Sequence, residues 1–140
     1  MTSEAAKPAA ALAGQFLRFG IVGTVGFLVD GAILVLSMAL LGTGPYLGRV
    51  VSYLGAATAT WALNRTFTFR GRHHGPAHHQ WARFIAVNAV GGAVNYATYA
   101  VLVMVSATVA AHPVLGVAAG SIAGLAFNFT GSRLLVFRRA

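Results

Sequence analysis

Residues 19–41 read FGIVGTVGFLVDGAILVLSMALL, an apolar run whose single charge is Asp30. A helix needs about 20 apolar residues to cross roughly 30 Å of bilayer hydrocarbon, so the stretch reads as a membrane span. It is too long for the apolar core of a secretory leader, and three further runs follow it. Residues 45–63 are interrupted only by Arg49, while 84–107 and 113–129 contain no charge. Composition agrees: 57% of the 140 residues are hydrophobic, 9% are charged, and mean hydropathy is +0.72. A water-soluble domain carries about 25% charged residues, so a chain this poor in charge could not keep its surface hydrated. The expected fold class is all-α, a polytopic membrane protein of four transmembrane helices.

The charges set the expected orientation. Ten Lys and Arg against two Asp and Glu give a net charge of +8. The basic residues flank apolar segments instead of lining one exposed face, which excludes nucleic acid as a partner. Gly42-Thr43-Gly44 and residues 108–112 are short connections without Lys or Arg. Lys7 and Arg18 precede the first run, Arg65, Arg70, Arg72 and Arg83 lie between the second and third, and Arg133, Arg138 and Arg139 follow the fourth. Nine basic residues thus share one side, and Arg49 lies toward the other. The positive-inside rule assigns the rich side to the cytoplasm, so both termini are expected there. Residues 1–15, Ala-rich and without a leader's apolar core, are expected as a disordered cytoplasmic tail.

The two halves repeat. At an offset of 65, Arg18-Phe19 matches Arg83-Phe84, Val22 matches Val87, Gly26 matches Gly91 and Val29 matches Val94. Beyond the outer turn the offset becomes 68, and Pro45, Gly48, Arg65 and Phe69-Arg70 match Pro113, Gly116, Arg133 and Phe137-Arg138. Apolarity does not dictate matched Arg, Pro and Gly. The expectation is two parallel duplicated helical hairpins, related by an axis along the membrane normal. Repeat 1 covers about 18–70, a cytoplasmic loop about 71–82, and repeat 2 about 83–138.

Two stripes stand out when the copies are aligned. Gly48, Ser52, Ala56, Thr60 and Asn64 recur every fourth residue, and their partners are Gly116, Gly120, Gly124, Asn128 and Ser132. Such a stripe lets another helix approach closely; alternatively, Asn64 and Asn128 at its end contact a polar substrate. On the preceding helices, Gly23, Gly26 and Asp30 align with Asn88, Gly91 and Asn95, and Tyr99 extends the second of these faces. Lipid would penalise polar faces of this kind, so they point into the protein or toward a partner chain. Asp30, in mid-membrane, is either a functional group or a hydrogen-bonded structural one.

The opening Phe16-Leu17-Arg18-Phe19 with Val22-Gly23, the intramembrane Asp30, and Asn64-Arg65-Thr66-Phe67-Thr68-Phe69 together resemble the GtrA-like family over residues 16–139. Phe67 stands where that family's closing motif, Asn-Arg-x-Trp-x-Phe, has Trp, and Ser132-Arg133-Leu134-Leu135-Val136-Phe137 departs further. The resemblance implies a protein of the bacterial plasma (inner) membrane that translocates a polyprenyl-phosphate-linked sugar for cell-envelope polysaccharide synthesis or modification. It implies that Arg18, Arg65, Arg83 and Arg133, at matching helix ends, collect the lipid phosphate, which guanidinium binds bidentately. The competing reading is four topology-setting arginines that snorkel to the interface.

Asp30 lies 11 residues before Leu41, about 16 Å from that end of its helix, and Arg49 lies four after Pro45, about 6 Å in. Side-chain length and helix tilt could close part of that gap. The expected substrate site therefore gathers Asp30, Arg49, Asn64, Arg65, Asn95, Asn128, Arg133, Arg18 and Arg83. No enzyme is expected, because Glu4 and Asp30 are the sole carboxylates and no nucleophile–base set exists. Without cysteine there is no thiolate metal site. His73, His74, His78 and His79, lacking an acidic partner, read as a flexible loop instead of a metal centre. No cofactor is expected. Four helices enclose little room for a sugar, so the expected partners are the lipid bilayer, the lipid-linked sugar and a second copy in a homodimer. Two rival functions are a scaffold that recruits a membrane glycosyltransferase and a small exporter of cationic drugs. The nine-to-one charge bias argues against the antiparallel dimers that such exporters form.

Overall fold

The computed structural model describes residues 2–72 and 75–138, and among them every regular element is helical. In hydrocarbon a single-chain segment must satisfy its own backbone polar groups, which the helix does. Helix α1 spans Thr2–Leu41, α2 Pro45–Leu63, α3 Ala77–Val105, α4 Ala107–Ala111 and α5 Pro113–Gly131. A single π-helical turn continues α2 over Asn64–Thr68 and α5 over Ser132–Val136. Three stretches are long and apolar enough to cross a membrane: Lys7–Leu41, Ala77–Val105 and Pro113–Val136. At 19 residues α2 has the length, but Arg49, Ser52, Tyr53, Thr58 and Thr60 lower its apolarity.

Several expected boundaries move. Residues 2–15, expected as a disordered tail, form the start of α1. Six alanines between positions 5 and 13 favour helix, and Pro8 removes one ladder donor without ending it. Residues 77–82 of the expected loop belong to α3. The connection expected over 108–112 contains the short α4, capped where the Ser106 hydroxyl accepts from the Val109 N–H. His73, His74 and Arg139 lie outside the described residues.

The chain divides into two compact units, Met1–His73 and His74–Ala140. In the first, α1 ends at Gly42, whose φ of 63° is a left-handed conformation that suits glycine. Pro45 then opens α2, which runs back along α1. The Ser52, Ala56 and Asn64 stripe is buried against α1. A Cβ placed on Gly26 would collide with the Thr60 methyl, and one on Gly55 with Ile33. The unit closes where the Phe69 N–H reaches the Asn64 carbonyl at 2.8 Å and the Phe69 ring meets Phe19 edge-on at 6.1 Å.

In the second unit α5 runs back along α3. Gly116, Gly120 and Gly124 are buried on it. A Cβ on Gly120 would stand 2.5 Å from the Asn95 carbonyl oxygen, and one on Gly124 would stand 3.0 Å from that of Gly91. A Cβ on Gly91 would collide with the Asn128 side chain, and Tyr99 lies against Gly116. The π turn bonds Phe137 N–H to the Ser132 carbonyl at 2.7 Å, and the Phe137 ring meets Phe84 edge-on at 6.2 Å. On the outward faces Phe27, Leu28, Leu40, Met104 and Ile122 are exposed, as a lipid-facing surface requires.

Gly23 departs from the expected polar face, because nothing lies within 4 Å of a Cβ built there. The inward face of α1 runs instead through Phe19, Val22, Gly26 and Ser37. Position 23 is turned about a quarter of the circle from position 22 by the 3.6-residue period. Asn88, expected to line the same face in the second unit, donates to the Phe84 carbonyl of its own helix at 2.9 Å.

Candidate functional site

Inside the first unit, Arg49 Nη1 donates to Asp30 Oδ2 in an ion pair that joins α2 to α1. The helices deliver the two groups to one another because the short turn at 42–44 returns α2 directly along α1. Arg49 Nη1 also lies 3.5 Å from Ser52 Oγ, and that hydroxyl donates to the Arg49 carbonyl at 3.1 Å. Ser52 is fully buried, so it is a fixed contact below the guanidinium. The Asp30 side chain is 19% exposed and that of Arg49 57%. Asp30 Oδ1 is buried and has no hydrogen-bond partner among the described residues. The guanidinium is thus restrained by one carboxylate oxygen while much of its surface remains reachable. The pair foreseen across a gap between the two helices is made directly.

Among the described residues the second unit holds no such pair. Its residues at the corresponding places are Asn95, Val117 and Gly120. Asn95 is half-buried beside Gly120 and Gly124, and Asn128 faces Gly91 with its Oδ1 buried and unmet among the described residues. The interior of this unit is neutral and amide-lined.

The remaining arginines gather at the π-turn ends of the units. In the first, Arg18 Cζ lies 5.6 Å over the Phe67 ring, and Arg65 Cζ lies 5.6 Å over Trp61. These are cation–π distances, and they hold both guanidiniums at one end of the unit. Asn64 is buried in the same turn at 2% exposure. In the second unit Arg133 is half-buried in its π turn, and Arg83 is exposed beside the buried Phe84. Arg18 precedes Asp30 by twelve residues, about 18 Å of helix rise. The nine expected residues therefore do not form one cluster. In the first unit they make a charged pair within the helical hairpin and an arginine–aromatic set at its end; in the second they make neutral amides and two end arginines.

Trp61 and Thr68 escaped the sequence reading. Trp61 Nε1 and Thr68 Oγ1 are buried without a partner among the described residues, as is Asn64 Oδ1 between them. The legible signal was spacing, since positions 61, 64 and 68 fall on one helix face.

No curated protein matches the sequence. The family model described as GtrA/DPMS, transmembrane domain, matches residues 18–139, a span that takes in most of both units, both π turns, the Asp30–Arg49 pair and every end arginine named above. The chain therefore belongs to the GtrA/DPMS transmembrane domain family, and is a membrane protein of glycosyl-carrier-related function.

Proposed function

We propose that this protein is a translocator, not an enzyme, that flips a polyprenyl-phosphate-linked sugar across the bacterial plasma membrane for cell-envelope polysaccharide synthesis or modification. The observation that carries the reading is the Asp30–Arg49 pair: a guanidinium held within a helical hairpin by a single carboxylate oxygen, with 57% of its side chain exposed. A mid-membrane carboxylate costs about 2.5–3.5 kcal/mol on insertion scales, and such residues mark substrate paths. A lipid phosphate binds guanidinium bidentately and competes with Asp30 for Arg49. Asp30 restrains Arg49 while the site is empty. At the other end of the first unit, Arg18 and Arg65 offer guanidiniums to the lipid phosphate at the inner leaflet; Arg83 and Arg133 offer theirs at the matching end of the second unit. Asn64 in the first unit, and Asn95 and Asn128 in the second, offer neutral polar contacts.

In this reading all four of α1, α2, α3 and α5 cross the bilayer, as two parallel hairpins of duplicated origin. The matched residues at offsets 65 and 68 support duplication, as do the matched π turns and edge-on phenylalanine pairs. A homodimer supplies the room for a sugar that four helices lack. Transport of labelled polyprenyl-phosphate-linked sugar into reconstituted vesicles tests the function, and its absence would refute the proposal. The topology has its own expected result. Reporters fused after residue 43 and near residue 110 read out the periplasm; those near residue 75 and at the C-terminus read out the cytoplasm. A cytoplasmic signal from residue 43 would sink the four-crossing arrangement.

A further inference from the structure

The last turn of α2 and the π turn that continues it hold three polar atoms that nothing among the described residues meets. Trp61 Nε1, Asn64 Oδ1 and Thr68 Oγ1 are each buried without a hydrogen-bond partner, and Asn64 and Thr68 are 2% exposed. Buried polar atoms are nearly always paired, and π turns recur at functional sites. The matching positions of the second unit, 68 residues on, are Phe129, Ser132 and Val136, all buried. Two of those three side chains carry no polar atom at all. The third, Ser132 Oγ, is likewise buried and unmet among the described residues, so what belongs to the first unit alone is the combination of indole, amide and hydroxyl.

The chemistry of the three atoms narrows what can meet them. An indole N–H only donates, an amide oxygen only accepts, and a hydroxyl does both. A phosphate oxygen accepts from Trp61 but leaves the Asn64 oxygen unmet. An isoprenoid tail meets none of the three. Sugar hydroxyls donate and accept, so two neighbouring hydroxyls satisfy the whole set. We infer that Trp61, Asn64 and Thr68 form a subsite for the hydroxyls of the carried sugar, present in the first unit and lacking in the second. This rests on the lipid-linked-sugar reading above and assigns the place of its head group. Arg65 covers the subsite, with its Cζ 5.6 Å over the Trp61 ring. A lipid phosphate that engages Arg65 draws the guanidinium off the indole, and the sugar next to that phosphate follows onto the uncovered face.

The test exchanges the three residues for those of the second unit, which sit in an equivalent turn. The variant is Trp61→Phe, Asn64→Ser and Thr68→Val together, made in the full chain in lipid nanodiscs. The probes are a panel of polyprenyl-phosphate-linked pentoses and hexoses, polyprenyl phosphate without sugar, and the corresponding free sugars. The wild type binds its best sugar-linked lipid at least ~10-fold tighter than bare polyprenyl phosphate, because only the former meets the buried groups. The triple variant binds both alike, at the wild type's affinity for the bare lipid. An undiminished preference for the sugar-linked lipid overturns the inference and leaves the carrier reading standing. A wild type that binds neither lipid overturns both. A free sugar that binds more tightly than its lipid-linked form also overturns the inference, because the subsite then serves a different source. Thr68→Val alone keeps the branching of the side chain and removes one hydroxyl, so it decides the matter if the triple variant fails to fold. A loss of about threefold or more in the sugar preference supports the subsite, and no loss refutes it.

Discussion

Replacing Gly120 with leucine lowers the stability of the purified protein by about 3 kcal/mol or more, read as a fall in its melting temperature in detergent. The reason is what the new side chain meets. Its first carbon alone would lie 2.5 Å from both the backbone carbonyl oxygen and the side-chain oxygen of Asn95. A flexible side chain can turn aside, but a carbonyl in the middle of α3 moves only if the helix moves. Small residues at such contacts exist to let backbones approach, and leucine forces α5 away from α3. Gly92→Ala is the control. Nothing lies within 4 Å of a Cβ there, so the change is neutral, or stabilising by up to about 1 kcal/mol through helix propensity. A Gly120→Leu melting curve that overlays the wild type would put that face toward lipid and overturn the packing described for the second unit.

Asp30→Asn and Arg49→Gln each reduce transport of lipid-linked sugar to background, while the protein still inserts and dimerises. Their costs in stability differ. Arg49→Gln leaves Asp30, only 19% exposed, as an unpaired carboxylate; the insertion scales put that cost at about 2.5–3.5 kcal/mol. Asp30→Asn leaves Arg49, already 57% exposed, which can snorkel to the interface, so the fold loses less. Equal loss of transport with unequal loss of stability separates function from folding. A scaffold that only recruits a glycosyltransferase would keep its function in both variants, and full activity in both removes the pair from the mechanism.

Long apolar runs and matched glycines were legible because each reports one helix against one neighbour. The stripe through Gly116, Gly120 and Gly124 is visible at a four-residue period, and the structure buries it. Gly23 was placed on the inward face because a three-residue step and a four-residue step both stay near one helix face. Only contact distinguishes Val22 from its neighbour. The ends were harder. An alanine-rich start reads as a tail by its lack of large side chains, yet those same alanines favour helix. The π turns have no sequence code of their own; the extra residue per turn shows only when Phe69 and Phe137 are found bonded five residues back. The unmet atoms of Trp61 and Thr68 were hidden for the same reason, since an absent partner is a fact about packing.

Two glycines of the second unit meet the opposite helix differently from the glycines of the first. In the second, Gly120 and Gly124 lie against main-chain oxygens of the opposite helix; in the first, Gly26, Gly48 and Gly55 lie against the side chains of Thr60, Leu34, Met38 and Ile33. A side chain can be exchanged for another of different size, whereas a carbonyl oxygen is common to every residue. Heritable variation is therefore confined unequally. Gly26, Gly48 and Gly55 can be substituted in pairs, one side chain growing as its neighbour shrinks, while Gly120 and Gly124 reject single changes that no second change repairs. A library randomised over these glycines and their contacts returns its survivors at Gly26, Gly48 and Gly55, with Gly120 and Gly124 unchanged.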